Sequence, residues 1–139
     1  MAKIQLLAVL SLDGCLSDME TEGRFWLRPD LHGLDEIHEN ATFELSPDHS
    51  LTELINERKK PNHATYLIEA GKETADFINA MLRMRLVDEI ILYTVPFIAG
   101  TGLRLFQGNL PISYWEPVEE TKYGRVLRRT YRRREVEED

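Results

Sequence analysis

The sequence predicts an α/β fold, and three observations support that prediction. Apolar runs of strand length occur at residues 3–12, 64–69 and 87–98. Between them lie segments whose apolar residues recur at three- and four-residue steps, which is typical of amphipathic helices. Near the end of the chain, residues 112–118 and 126–133 form two further short segments of strand character. Because unbroken apolar runs suit strands buried on both faces, we expect a mixed sheet with central parallel strands, flanking helices and a closing antiparallel hairpin.

The composition is that of a folded domain. The chain has 139 residues, of which 42% are hydrophobic and 29% charged, so we expect a single domain over residues 1–139 with a buried core. No apolar run approaches the roughly 20 residues of a membrane span, and no secretory leader is recognised after Met1. Cys15 is the single cysteine, which excludes an internal disulfide. We therefore expect a cytoplasmic protein without a membrane partner.

The charge is unevenly distributed along the chain. The net charge of −7 argues against a general nucleic-acid binder, but arginines are concentrated in residues 125–134. Such a run can mark a phosphate-binding patch. It is interleaved here with Val126, Leu127 and Tyr131, which favours a terminal strand with a solvated face. We therefore predict no nucleic-acid partner.

The local patterns place the elements in order. The first strand ends at the Asp13-Gly14 turn, and Pro29 can open a short helix that continues to Glu39. Alternating residues at 41–45 predict a short strand. The remaining predicted elements are a helix over 49–59, a strand over 64–69, a helix from Thr74 to about Arg85, a strand over 87–98 interrupted at Pro96, and a hairpin of residues 112–118 and 126–133 with a turn near 122–124.

Three loops follow the predicted parallel strands, at residues 12–15, 69–74 and 96–102. In an open parallel sheet such loops share the carboxyl edge, where ligands bind. We therefore expect Asp13 and Glu69 to meet at one cleft. A helix N-terminus beside them would suit an anion.

Each motif taken alone also has an ordinary structural explanation. Asp13-Gly14 is a common turn pair, and Glu69 can be a solvated strand end. Gly100-x-Gly102 falls short of a dinucleotide fingerprint. Cys15 is more often a small buried apolar residue than a nucleophile, and the four histidines show no convincing metal spacing. We predict no metal site.

Taken together, the motifs resemble a known family. Ser11-Leu12-Asp13-Gly14 and Leu67-Ile68-Glu69-Ala70-Gly71 resemble two signatures of the reductase domain of bacterial riboflavin biosynthesis, a member of the dihydrofolate-reductase-like superfamily. The third signature is resembled by Leu86-Val87-Asp88-Glu89, then Val95-Pro96-Phe97-Ile98-Ala99-Gly100-Thr101-Gly102 and Leu105-Phe106. The three blocks occur in the family's order.

The resemblance implies a dihydrofolate-reductase-like fold and an NADPH-dependent reductase of a small nitrogen heterocycle, usually as a homodimer. Asp13 and Glu69 would be the catalytic, substrate-side carboxylates. NADPH would lie across the carboxyl edge of the sheet, where the expected cofactor-binding residues are Gly71, Lys72, Glu73, Thr74, Ala99, Gly100, Thr101 and Gly102.

The chain departs from the family pattern in three places. Cys15 stands where the family usually has lysine, and Ala70 replaces a glycine. Residues 15–68 are about half the family's usual allotment, and the segment under the cofactor's second phosphate has no counterpart beyond Gly23-Arg24. The alternative function is therefore a shortened, non-catalytic homologue that binds a ligand or serves as a dimeric interaction module.

Overall fold

A computed structural model describes residues 2–17 and 32–134 of the chain. The structural statements below concern these residues. The predicted start of the first helix at Pro29 and the Gly23-Arg24 pair lie outside them.

The described strands form one six-stranded mixed sheet in the order β2-β3-β1-β4-β6-β5. Strand β1 pairs in parallel with β3 and with β4, and β2 pairs in parallel with β3. Strands β4, β6 and β5 are antiparallel neighbours. The strands are β1 Lys3–Leu10, β2 Phe43–Glu44, β3 Thr65–Glu69, β4 Glu89–Thr94, β5 Tyr114–Tyr123 and β6 Val126–Arg134. The predicted parallel centre and closing hairpin are confirmed.

Helices cover both faces of the sheet. They are α1 Leu34–Asn40, α2 Leu51–Lys59 and α3 Ala75–Arg83. Helices α2 and α3 pack Leu54, Ile78 and Met81 onto one face, whereas α1 packs Leu34 and Ile37 onto the other. Right-handed crossovers explain this division. The connection from β1 to β2 crosses the sheet in one direction, and the connections from β2 to β3 and from β3 to β4 cross it in the other, so their helices lie on opposite faces.

Strand β1 lies at the centre of the core because its apolar run serves both faces. Ile4 and Leu6 belong to the core on the α2–α3 face, and Leu7 and Val9 to the core on the α1 face. Ile4, Leu6 and Leu7 have no exposed surface. Burying such a side chain contributes about 1.5–3 kcal/mol, so this run defines the core as the sequence predicted.

The structure corrects several predicted boundaries. Strand β1 ends at Leu10 rather than at residue 12, because the Ser11 N–H bonds to the Cys15 carbonyl and turns the chain back. Strand β4 ends at Thr94, before Pro96, which lacks an N–H for a ladder bond. In the hairpin, β5 continues to Tyr123 and β6 starts at Val126. The turn between them needs only residues 124 and 125, because Gly124 adopts a φ of 61°.

The arginine-rich run forms strand β6, as the strand interpretation predicted. Strand β5 carries carboxylates opposite it, and two ion pairs join the strands: Arg128 to Glu119 at 3.1 Å and Arg129 to Glu120 at 3.2 Å. The positive charge of the run is therefore partly balanced within the hairpin. No helix within the described ranges is long and apolar enough to span a membrane.

Candidate functional site

The carboxyl ends of β1 and β3 form a topological switch point. The next described helix after β1 is α1, on one face, and the helix after β3 is α3, on the other. Adjacent strands whose loops part in this way leave a crevice between them. The turn after β4 borders the same edge, because Leu10 pairs with Thr94.

Asp13 joins the loop after β1 to the turn after β4. Its carboxylate accepts the backbone N–H groups of Ala99 and Gly100, both at 3.0 Å, and the hydroxyl of Ser11. The Ser11 hydroxyl and the two N–H groups hold the pKa of Asp13 well below its usual range, because they favour the charged form. The carboxylate is therefore ionised at neutral pH and occupied by fixed donors.

Further bonds fasten the same two loops to each other. The N–H of Leu12 donates to the Phe97 carbonyl at 2.8 Å, and that of Leu16 to the Leu103 carbonyl at 2.8 Å. The Arg104 guanidinium donates to the carbonyl of Asp13. These bonds, with those of Asp13, make residues 11–17 and 97–104 one connected unit.

The turn from Gly71 to Thr74 precedes α3. The Thr74 hydroxyl accepts the Gly71 N–H at 2.9 Å and donates to the Glu69 carbonyl at 2.8 Å. Thr74 occupies the N-cap position, as predicted, but its side chain makes no cap bond to the helix. The hydroxyl therefore fixes the turn, and the first-turn N–H groups of α3 receive no acceptor from Thr74.

Two glycines leave open backbone surface at this edge. A Cβ placed on Gly71 or on Gly100 would meet no atom within 4 Å. Gly100 also has φ of +83°, a conformation that residues with a Cβ rarely adopt. The exposed side chains in the turn 71–74 are Lys72 and Glu73, and in the turn 99–102 Thr101 is exposed. The predicted cofactor-binding segments thus present accessible backbone at one edge of the sheet.

Glu69 lies at the carboxyl end of β3, at the predicted edge of the sheet, where its nearest ionisable partner is His38. Its register partner is Leu7, and strand β1 continues for three more residues, about 10 Å, before its loop begins. The Glu69 carboxylate lies 3.4 Å from His38 Nε2, and the other ring nitrogen lies 3.1 Å from Glu44. The structure therefore pairs Glu69 with His38 on α1 and does not bring it together with Asp13 in one contact.

His38 and Ser17 are the residues that the sequence interpretation missed. The Ser17 N–H bonds to the Val9 carbonyl and the Ala70 N–H to that of Leu7, so Ser17 continues the line of β3 beyond Ala70. Its hydroxyl is buried and has no hydrogen-bond partner among the residues that the structure describes. No signal in the sequence marked Ser17, whereas His38 could have been found from its position on the α1 face that packs on β3.

Among residues 2–17 and 32–134, no three histidine, cysteine or carboxylate side chains cluster as metal ligands. Cys15 is 2% exposed and packs against Gly102, whose ideal Cβ position lies 3.7 Å from its sulfur. The described residues at this edge therefore offer backbone N–H groups, carboxylates, one histidine and Lys72.

Comparison with known proteins gives a family and a fold. The family described as the RibD C-terminal domain matches residues 35–127, more than half of the chain. A search of curated proteins finds no match.

Several solved structures share the fold at low sequence identity. One from Shewanella sp. PV-4, described as a riboflavin biosynthesis protein, is 15% identical with a TM-score of 0.74 and covers 96% of this chain and 99% of its own. Acinetobacter baumannii RibD is 14% identical with a TM-score of 0.64, over 97% of this chain and 59% of that one. Enterococcus faecalis dihydrofolate reductase, in complex with NADP(H), is 13% identical with a TM-score of 0.62, over 96% and 97%.

Proposed function

This chain belongs to the RibD C-terminal domain family, and from that premise we propose that it is an NADPH-dependent reductase of a small nitrogen heterocycle. The class of reaction follows the family and the reductases that share its fold, among them the dihydrofolate reductase with NADP(H) and a yeast riboflavin biosynthesis reductase. The substrate class is a pyrimidine- or pterin-like ring, as in riboflavin or folate metabolism.

The observation that carries the proposal is the pair of open glycine turns. Both turns fall within the residues that the family match covers, and both Gly71 and Gly100 have free space where a side chain would stand. A dinucleotide needs close approach to backbone N–H groups, and a helix N-terminus stabilises its phosphates. The turn 71–74 with Lys72 fits a phosphate, and the turn 99–102 fits the remainder of the cofactor.

When bound, NADPH supplies the hydride. The residues of the chain hold and orient the reactants. Lys72 holds the phosphate together with first-turn N–H groups of α3 other than that of Ala75, which bonds to the Gly71 carbonyl at 3.0 Å. Asp13 keeps the turn 99–102 in position through the N–H groups of Ala99 and Gly100. Asp13 is thus a positioning residue in this proposal, since a carboxylate whose pKa is held low is a poor proton donor.

Glu69 is the substrate-side carboxylate in the proposal. Its Oε1 lies 3.4 Å from His38 Nε2, so the imidazole can hold the carboxylate in place while the carboxylate orients a ring nitrogen of the substrate. Ser17, next in line beyond Ala70, borders the same crevice with a buried hydroxyl.

Titration with NADPH tests the proposal. A working reductase is expected to bind NADPH in the micromolar range, roughly −8 kcal/mol, with a rise in melting temperature and a change in protein fluorescence. The alternative is the shortened, non-catalytic homologue, which the short segment 15–68 favours. No effect of NADPH at millimolar concentration would contradict the reductase and support that alternative.

The assembly, the location and the domain count belong to the same proposal. We propose a cytoplasmic, single-domain homodimer that associates through the final hairpin, whose strand β5 is an edge strand. The dimer is expected to bury Trp115 or Tyr131, and exposed Tyr114 and Val118 on the same strand favour contact there. Pro117 and the adjoining bulge block simple extension of the sheet. Light scattering at micromolar concentration tests the dimer, and a monomer there would contradict it.

A further inference from the structure

The guanidinium of Arg104 lies over the loop that follows β1. It donates to the Asp13 carbonyl, and its Nη1 lies 3.5 Å from the ideal Cβ position of Gly14. The backbones of Cys15 and Arg104 also form an isolated antiparallel bridge. Arg104 therefore follows the turn 99–102 in the chain, whereas its charged group lies at the end of β1.

This positive charge has no ion-pair partner among the residues that the structure describes. Arg104 is exposed, and within those residues the Asp13 carbonyl is the one acceptor for its N–H donors. The Asp13 carboxylate is occupied by the Ser11 hydroxyl and by the N–H groups of Ala99 and Gly100. Those hydrogen bonds, and not Arg104, lower the pKa of Asp13. The guanidinium thus keeps N–H donors available for a ligand.

A ligand that spans the two open glycine turns must pass this guanidinium. Strand β1 lies between β3 and β4 in the sheet, so the loop after β1 separates the turn 71–74 from the turn 99–102. Arg104 lies on that loop at Gly14, and Lys72 is exposed in the turn 71–74. The edge therefore carries a cation at each of two separate points along the path of such a ligand.

We propose that Arg104 binds a phosphate group of the dinucleotide and is a second cationic contact in addition to Lys72. The inference rests on the proposed function, because it takes NADPH as the ligand of this edge. NADPH carries two separated anionic groups, the bridging diphosphate and the 2′-phosphate, and a guanidinium binds either of them through charge-assisted hydrogen bonds. Two cations at separate points fit two anionic groups, which makes Arg104 a further cofactor-binding residue.

Calorimetric titration of Arg104→Met with NADPH and with NADH tests the proposal. Because Arg104 is exposed, the variant is expected to fold normally and to bind NADPH about tenfold more weakly than the wild type. Unchanged NADH affinity would identify the 2′-phosphate as the group at Arg104, whereas an equal loss for NADH would identify the diphosphate. Arg83→Met is the matched control, because Arg83 is exposed at the end of α3 remote from the turn 71–74. It should bind both cofactors as the wild type does.

Salt dependence separates the charge of Arg104 from its bond to the loop. Between about 50 and about 500 mM NaCl, the difference in NADPH affinity between the wild type and R104M is expected to shrink, because salt screens an exposed charge. A difference that salt leaves unchanged would assign the effect to the bond between Arg104 and the Asp13 carbonyl, and would overturn the proposal.

Inorganic diphosphate distinguishes failure of this inference from failure of the proposed function. If R104M bound NADPH as tightly as the wild type, the inference would be overturned and the proposed function would stand. If the wild type bound neither NADPH nor NADH, the proposed function would fail, and diphosphate would decide the inference. Diphosphate binding in the millimolar range that is weaker in R104M than in R83M would then support an anion site at Arg104, and equal or absent binding would overturn it.

Discussion

The Asp13 carboxylate accepts the backbone N–H of Gly100 at 3.0 Å, although the two residues are 87 positions apart in the chain. The same carboxylate accepts the N–H of Ala99 at 3.0 Å. A loop that follows the first strand is thereby fixed to a turn that follows the fourth. The turn belongs to the proposed cofactor site, so its conformation depends on a side chain from elsewhere in the chain.

Replacement of Asp13 by asparagine should loosen this turn. The amide retains one acceptor oxygen and presents an NH₂ group where a carboxylate oxygen stood, so at least one N–H loses its partner. Hydrogen exchange at the Ala99 and Gly100 amides is expected to accelerate at least about tenfold. Asp48→Asn, in the exposed turn before α2, is the control and should leave both amides unchanged. Equal exchange in D13N and the wild type would contradict the role given to Asp13.

The contribution of Asp13 to stability should depend on pH only in acid. Its pKa in the folded chain lies below the usual 3.8, so its contribution is present above that value and lost as pH falls towards the folded pKa. Urea unfolding of the wild type and D13N between pH 3 and 8 is the measurement. The difference between them is expected to stay constant above about pH 5 and to narrow below about pH 4. If the difference in the free energy of unfolding narrowed between pH 8 and 5, the pH dependence would belong to a group other than Asp13.

Gly71→Ala separates folding from cofactor binding. The new methyl group would meet no atom within 4 Å, so the free energy of unfolding should change by less than about 1 kcal/mol. If NADPH approaches this backbone, its affinity should fall about tenfold or more. Gly108→Ala, which also has free space but lies away from the sheet edge, should change neither quantity. Unchanged NADPH affinity in G71A would place the cofactor elsewhere.

Glu69→Gln should affect turnover far more than folding. Glu69 is partly exposed and lies 3.4 Å from His38, so the loss in unfolding free energy should stay below about 1 kcal/mol. Loss of a positioned carboxylate should reduce kcat about 10²-fold on an identified substrate. Glu44→Gln also alters a contact of His38 without changing the end of β3, and should retain most activity. Full activity of E69Q would remove Glu69 from the site.

Asn79→Ala tests the anchor of the segment that follows the turn 99–102. Asn79 is fully buried. It donates to the Ala75 and Leu105 carbonyls and accepts the Gln107 N–H. Since the variant leaves partners unsatisfied, we expect the free energy of unfolding in urea to fall by about 2–4 kcal/mol. The control Asn56→Ala, at an exposed position of α2, should leave this free energy unchanged or raise it slightly. If N79A and N56A had the same free energy of unfolding, Asn79 would not anchor the segment.

The sequence alone determined the elements and their order. The apolar run of β1 and the helical periodicity of α3 are local patterns, and their spacing reflects the geometry of a strand or a helix. The family resemblance was likewise carried by short segments, such as Leu67-Ile68-Glu69-Ala70-Gly71. These predictions succeeded because each depends on residues that are near neighbours in the chain.

Only the tertiary structure decided which side chains share the site. Asp13 and Glu69 both follow apolar strands, but the register of β3 against Leu7 holds Glu69 below the end of β1 and turns it towards His38. The partners of Asp13 come from the turn after β4. Strand register and loop contacts arise from packing between segments that are remote in the chain. The periodicity within one segment therefore does not predict them.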